Sequence, residues 1–298
     1  MNEYLENVLR RENIAYKTGE DLSKKSYIKI GVTADVIYPK SKSELMTVVA
    51  CLLEKGIEFK ILGALSNLLL TDSSARYLFV STEHLQGISE KNGQVRAMSG
   101  VRFSSLFRYL LNKNYSLLPE LFGIPGSVGG MLYSNAGAFG KELSEALVSA
   151  ELFDFASMSV RSYSAEEMRF GYRNSILQDG GYMLISATFL PHTAPKDEIL
   201  QTVGRVTGLR RATQPIEYRS LGSVFKRPQG DYAARLIDEA GLRGLRVGDA
   251  QVSEKHAGFI VNLGSATADD VLELIRIIKN KVYSVYGVSL TEEIEILR

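Results

Sequence analysis

Between Gly123 and Gly140 the chain carries six glycines and one proline in eighteen residues. They fall in Gly123-Ile124-Pro125-Gly126-Ser127-Val128-Gly129-Gly130 and in Asn135-Ala136-Gly137-Ala138-Phe139-Gly140. Apolar residues are interleaved with them, so the stretch does not read as a flexible Gly/Ser linker. Glycine permits positive φ and, having no Cβ, lets a ligand approach the backbone closely. Successive turn amides can cradle an anionic group such as a pyrophosphate. A tight structural turn is the alternative, because Gly and Pro are turn residues first. For a single Gly-Gly pair that alternative is favoured; for the whole run a nucleotide or cofactor loop is.

A chain of 298 residues exceeds one small core and predicts two or three domains. It is 45% apolar and 23% charged, an ordinary balance for a soluble enzyme. A net charge of +1 gives no global field toward nucleic acid or an anionic membrane. The lone Cys51 cannot form an internal disulfide and reads as a small core residue. Residues 1–13 are charged throughout and lack the apolar core of a secretion signal. No apolar run is long enough to span a bilayer. The expectation is a soluble, cytoplasmic monomer without membrane insertion.

Periodicity sets the element plan. Tyr4, Leu5, Val8 and Leu9 share a face of a short N-terminal helix. Tyr27-Ile28-Lys29-Ile30 and Ala34 to Tyr38 read as strands around a turn at Gly31. Ser41 and Glu44 form a capping box for a helix ending at Gly56, and Glu58 to Leu62 follows as a strand, giving a βαβ-like unit. Further strands are expected at Leu78 to Val80 and Val95 to Ser99, then a helix at Phe103 to Asn112. Residues 147–190 read as β-rich, interrupted by a short helix capped by Ser164 and Glu167. The Pro191 to Pro195 stretch predicts a domain boundary. Helices then follow at Lys196 to Arg211, Ala233 to Ala240 and from Thr267, with strands at Phe259 to Asn262 and Ile294 to Leu297.

Four further windows could carry chemistry. Gly63-Ala64-Leu65-Ser66-Asn67 lies where a strand hands over to a loop, a common place for phosphate contacts, and it is not a dinucleotide fingerprint. Arg173, in Phe170-Gly171-Tyr172-Arg173-Asn174-Ser175, has a fork suited to carboxylate or phosphate, although a surface salt bridge is commoner. Gly222-Ser223-Val224-Phe225-Lys226-Arg227 places a hydroxyl and two cations together, but without G-x-S-x-G or a supporting histidine a serine nucleophile is not expected. In Glu292-Glu293-Ile294-Glu295, alternation sends Glu293 and Glu295 to one side of a strand. His84, His192 and His256 are far apart with no metal-ligand spacing, so no metal is expected.

Taken in order, these windows resemble the UDP-N-acetylenolpyruvoylglucosamine reductase family. The resemblance runs through Ile28 to Gly31 with Pro39 and Glu44, Leu62 to Leu69, Gly123 to Gly130, Asn135 to Gly140 and Tyr172 to Ser175. It continues through Gln214-Pro215, Gly222 to Lys226, Ala240 to Gly244, Ser253 to Ala257, and Gly287 to Leu290 leading to Glu293. The tyrosine-bearing insertion of the longer family form is missing, so the compact form is implied.

The implied fold is α+β: an FAD-binding domain of the PCMH (vanillyl-alcohol-oxidase) type over residues 1–195, in subdomains of about 1–81 and 82–195, then an α+β substrate-binding domain over 196–298. The implied cofactor is FAD, with NADPH as reductant and a small-molecule nucleotide sugar as substrate; no nucleic acid is implied. Arg173 and Glu293 match the residues that stabilise the enolate formed on hydride addition, and Ser223 the proton donor. Gly63, Ser66, Asn67, Leu68, Gly123, Pro125, Gly126, Ser127, Gly129, Gly130, Asn135 and Gly137 fall on cofactor-binding positions, and Tyr172, Arg173, Lys226, Arg227, Gln251 and His256 on substrate-binding ones. The chain departs from the pattern at Leu65, where a glycine is usual, at Val32, where a second glycine often follows Gly31, and at Arg227, where many members have asparagine. Two alternatives stand beside this reading: an oxidase on the same flavin scaffold, and a nucleotide-sugar-binding protein without flavin.

Overall fold

The computed structural model describes residues 3–298, which divide into two compact units. One comprises residues up to 19, 35–64 and 77–207, and the other residues 20–34, 65–76 and 208–298. The units are thus discontinuous in the chain, unlike the division at 195/196 expected from the prolines. Two short N-terminal segments belong with the C-terminal third because their residues pair with it: Leu68–Leu70 lies parallel to Glu295–Leu297, and Ile28 and Ile30 enter the core of that third.

The first unit contains two sheets. One has the strand order Ala15–Asp21, Thr33–Tyr38, Leu78–Ser81, Phe59–Leu62, with Leu78–Ser81 parallel to both Thr33–Tyr38 and Phe59–Leu62. The expected βαβ unit is therefore present, but a third strand lies between its two strands. Its helix, Lys42–Glu54, buries Leu45, Val48, Val49 and Leu52. Ser41 Oγ accepts from Glu44 N–H at 3.1 Å, whereas Glu44 turns to Lys40 N–H, so only half of the predicted box forms. The N-terminal helix Glu3–Arg11 buries Leu5, Val8 and Leu9, while Tyr4, expected on that face, is exposed beneath the Lys55 ammonium at 4.2 Å.

The second sheet is antiparallel, ordered Ser159–Ser164, Leu147–Asp154, Tyr182–Phe189, Gln94–Met98, Ile88–Lys91. Its Phe153, Met183 and Ile185 join the apolar core of the first sheet, while Val95, Ala97, Leu152, Leu184 and Phe189 pack with helices Phe103–Leu111 and Val128–Tyr133. Both faces of Tyr182–Phe189 are covered, which is why its sequence runs apolar instead of alternating. Ser164 and Glu167 do exchange both capping hydrogen bonds, yet only a turn follows, not the expected helix; it ends at Arg169, which has a φ of 48°.

The second unit has a sheet ordered Arg219–Ser223, Phe259–Asn262, Ala250–Val252, Arg246–Val247. Helix Ala268–Tyr286 opens on a complete Thr267/Asp270 capping box and lays Val271, Leu274, Ile275, Ile278 and Val282 into the core. Residues Tyr27 to Ile30 are not the expected strand. Lys29 is left-handed, with a φ of 62°, and the segment is instead fixed by Asn262, whose Nδ2 donates to the Ile28 carbonyl at 2.8 Å. Gly31 is obligatory here, since a Cβ would lie 2.4 Å from Ser23 N. No described helix is long and apolar enough to cross a membrane.

Candidate active site

The glycine run folds as a turn that enters a helix. Gly123 takes a φ of 87°, and Ser127 caps Val128–Tyr133 by accepting from Gly130 N–H at 3.3 Å. Gly129 lies against Ser99, donating to its carbonyl at 2.8 Å, and a Cβ there would come within 3.1 Å of that oxygen. Gly63 is equally close to this turn, because its Cβ would meet Ser127 Oγ at 3.0 Å. The two glycine-bearing loops therefore touch through positions where an added Cβ would be tight. Gly126 and Ser127 are buried, yet their N–H groups have no hydrogen-bond partner among the described residues; nor has that of buried Ala64. Buried backbone donors are almost always paired. Unpaired ones in facing loops suit an oxygen-rich anionic group, so the residues present fit a flavin nucleotide.

The adjoining residues serve the second unit. Leu65, where glycine is usual, holds a φ of 54° and is buried, so the left-handed turn survives the substitution. Asn67 Nδ2 donates to the Glu293 carbonyl at 3.1 Å, and the Asn67 carbonyl accepts from Glu295 N–H at 2.9 Å. Leu68 opens the strand that pairs with Glu295–Leu297.

Arg173 is built into the second half of the glycine run. It is a non-glycine residue at a φ of 54°, an uncommon conformation that persists only where the surroundings hold it. Its Nη2 donates to the Gly137 carbonyl at 3.0 Å and Nη1 to the Asn135 carbonyl at 3.5 Å, with Glu142 Oε1 at 4.0 Å. The guanidinium lies 5.1 Å from the Tyr172 ring, and Tyr172 itself is exposed. Asn135, with only 1% of its surface exposed, ties this corner together. Its Nδ2 reaches Glu142 at 2.9 Å and the Gly171 carbonyl at 3.1 Å, and its Oδ1 accepts from Ser144 N–H. Gln178 Nε2 donates to the carbonyls of both Arg173 and Tyr133, fixing the backbone at the left-handed residue. Neither Glu142 nor Gln178 was legible as a site residue. Gln178 acts on backbone carbonyls, and Glu142 on the side chains of Asn135 and Arg173 from elsewhere in the chain, so neither leaves a local mark in the sequence.

In the second unit, Glu293 is held against Val224, the residue that follows Ser223. Glu293 N–H donates to the Val224 carbonyl at 2.7 Å, and the flanking Lys226 N–H donates to the Thr291 carbonyl at 2.8 Å. Gly222, at a φ of 84°, breaks the strand pairing just before Ser223, and pairing resumes at Ser223 opposite Phe259. Lys279 holds Glu292 at 2.9 Å, so the neighbouring carboxylate is already neutralised.

The expected substrate residues are dispersed along this unit. Lys226 follows Ser223 and forms no ion pair among the described residues. Arg227 is exposed over the Tyr232 ring at 4.4 Å. Gln251 Nε2 donates to the Gly244 carbonyl at 3.1 Å. His256 packs edge-on to Phe259, accepts from Gly258 N–H through Nδ1 at 3.1 Å, and is held below its usual pKa by burial. His84 stacks on Tyr38, His192 sits exposed in a short strand, and no metal-binding cluster occurs among the described residues.

Residues 214–297 match the family profile described as UDP-N-acetylenolpyruvoylglucosamine reductase, C-terminal domain, and residues 33–160 match the one described as FAD binding domain. A UDP-N-acetylenolpyruvoylglucosamine reductase of Listeria innocua is 40% identical over 286 residues, covering 96% of each chain. One from Streptococcus suis is 37% identical over 290 residues, covering 97% of this chain and 96% of its own. The crystal structure of UDP-N-acetylenolpyruvylglucosamine reductase from Thermus caldophilus superposes with a TM-score of 0.81 at 32% identity, over 96% of this chain and 99% of that one. With an FAD-binding α+β domain followed by this C-terminal domain, and with relatives matched over nearly their whole length, the chain belongs to the UDP-N-acetylenolpyruvoylglucosamine reductase family.

Proposed function

We propose that this chain is a cytoplasmic, FAD-dependent reductase that converts UDP-N-acetylglucosamine enolpyruvate to UDP-N-acetylmuramate, with NADPH as reductant. The observation that carries the reading is the hydrogen bond that holds Glu293 to Val224, the residue after Ser223, in a chain that also carries Arg173 in a strained, carbonyl-anchored turn. An oxidase on the same flavin scaffold has no need of the first feature.

When bound, FAD supplies the hydride that adds to the enolpyruvyl β-carbon. The displaced electron pair moves to the α-carbon and into the carboxylate as an enolate. Arg173 stabilises that charge through its guanidinium, a fixed cationic donor that needs no reorganisation as charge develops. Glu293 makes the second contact to the enolate. Ser223 delivers its hydroxyl proton to the α-carbon and regains one by relay, because an alcohol is a weak acid that reacts only with a strongly basic carbon. Hydride and proton together saturate the double bond and leave the lactyl ether. Gly63, Gly126, Ser127, Gly129 and Gly130 hold the flavin nucleotide by close backbone approach, and Lys226 and Arg227 meet the diphosphate of the substrate.

An anaerobic visible spectrum tests the whole reading. NADPH should bleach a flavin band, and UDP-N-acetylglucosamine enolpyruvate should restore it. Restoration by oxygen alone would replace the reading with an oxidase. A chain that takes up no FAD would leave a nucleotide-sugar-binding protein.

A further inference from the structure

Arg102 lies opposite Ser127 in an isolated antiparallel bridge. Phe103 N–H donates to the Gly126 carbonyl at 3.0 Å and Val128 N–H to the Val101 carbonyl at 2.9 Å. Those bonds flank the pair without joining it, so Arg102 and Ser127 are a non-hydrogen-bonded pair, whose side chains leave the backbone close together on one face. That face is the one toward Gly63, since Ser127 Oγ is what a Cβ at Gly63 would meet. The Arg102 side chain thus leaves the backbone beside the contact between the two glycine-bearing loops, all within one unit.

Arg102 has no side-chain partner among the described residues. It forms no ion pair and no side-chain hydrogen bond to any described residue, makes no capping contact to the helix it precedes, and its Nη1 is buried with nothing to donate to. Burying a cationic donor unpaired costs free energy. The neighbouring amides of Gly126 and Ser127 share this unsatisfied state. Three donors on adjoining residues, one of them charged, await the same kind of acceptor: a group with several anionic oxygens.

We propose that Arg102 is the charge partner of the flavin nucleotide's diphosphate, an inference that rests on the FAD-dependent reading above. The glycine loops and Ser127 offer that dianionic group only neutral donors. A guanidinium adds paired hydrogen bonds and a compensating charge. Arg102 is assigned to binding, not to the reaction itself.

The test is flavin binding by the full-length, deflavinated chain, followed by flavin fluorescence. FAD is compared with riboflavin, which lacks phosphate, for the unaltered chain, Arg102→Gln and Arg102→Lys. Arg102→Gln should weaken FAD about ten- to a hundredfold, the range of one charge-assisted hydrogen bond, and leave riboflavin unchanged. Arg102→Lys should recover much of the FAD affinity, and the salt dependence of FAD binding should flatten in Arg102→Gln only. Unchanged FAD affinity in Arg102→Gln would overturn the proposal, as would an equal loss for both flavins. If the unaltered chain binds neither flavin, the FAD-dependent reading fails first and takes the proposal with it.

Discussion

The backbone N–H of Glu293 donates to the carbonyl of Val224 at 2.7 Å, which fixes the carboxylate-bearing residue beside the residue that follows Ser223. Neither side chain contributes to that bond, so each can be altered without loosening the other. Ser223→Ala and Glu293→Gln should each lower kcat by about a hundredfold or more, in the range of a general acid or a transition-state contact. Thermal unfolding should shift by no more than a few degrees. Steady-state kinetics alongside a melt separate the two effects, and a large loss of Tm in either variant would show a structural role instead.

Arg173→Lys should be far from conservative. The guanidinium spans two carbonyls, those of Gly137 and Asn135, while an ammonium is a point charge that cannot reproduce this planar arrangement. The expected result is a loss of about 10²–10³-fold in kcat, with FAD content unchanged. Retention of full activity would remove Arg173 from the enolate.

Gly137→Ala should disturb the same corner from the backbone side. An added Cβ would lie 2.7 Å from the Lys141 carbonyl oxygen, 2.9 Å from Glu142 Cγ and 3.2 Å from Arg173 Nη1. Overpacking of this kind costs about 1–3 kcal/mol. At Gly181, by contrast, a Cβ meets nothing within 4 Å, so Gly181→Ala is the control. Chemical denaturation should separate the two variants, and equal stability would contradict the packing described.

His256 should couple stability to pH. Burial holds its pKa below the ordinary value of 6.5, and its Nδ1 accepts from Gly258 N–H only when unprotonated. The unfolded chain therefore binds the proton more readily than the folded one. The contribution to stability is complete above about pH 6.5 and is lost as pH falls toward the lower folded-state value. His256→Gln should flatten this part of the stability profile, and an unchanged slope between the unaltered chain and the variant would exclude the coupling.

Legibility in the sequence followed the range of the interactions. The helices announced by local signals, such as Ser41 before Lys42–Glu54 and Thr267 before Ala268–Tyr286, stand where periodicity and caps put them. Tyr27 to Ile30 has the apolar pattern of a strand, but Ile28 and Ile30 enter the core of the C-terminal third and Asn262, far along the chain, holds the segment's backbone in place of a sheet. The box at Ser164 is followed only by a turn because a capping box stabilises the start of a helix but does not sustain one. Arg173, Ser223 and Glu293 were identifiable only through family resemblance. Gly137, Asn135 and Val224 support them through backbone carbonyls that residue identity does not encode, and Asn67 supports Glu293 through a side chain 226 residues away.

The parallel pairing of Leu68–Leu70 with Glu295–Leu297 also orders events in time. Thr71 Oγ1 donates to a carbonyl 226 residues later, at Leu297, and Asn67 is bonded to Glu293 at the same separation. During synthesis the ribosome releases the early strand long before its partner exists. Until then the edge of Leu68–Leu70 is open and Asn67 has nothing to hold. The first unit can close around its own sheets while the second waits, so the residues assigned to proton delivery should be the last part of the molecule to become competent.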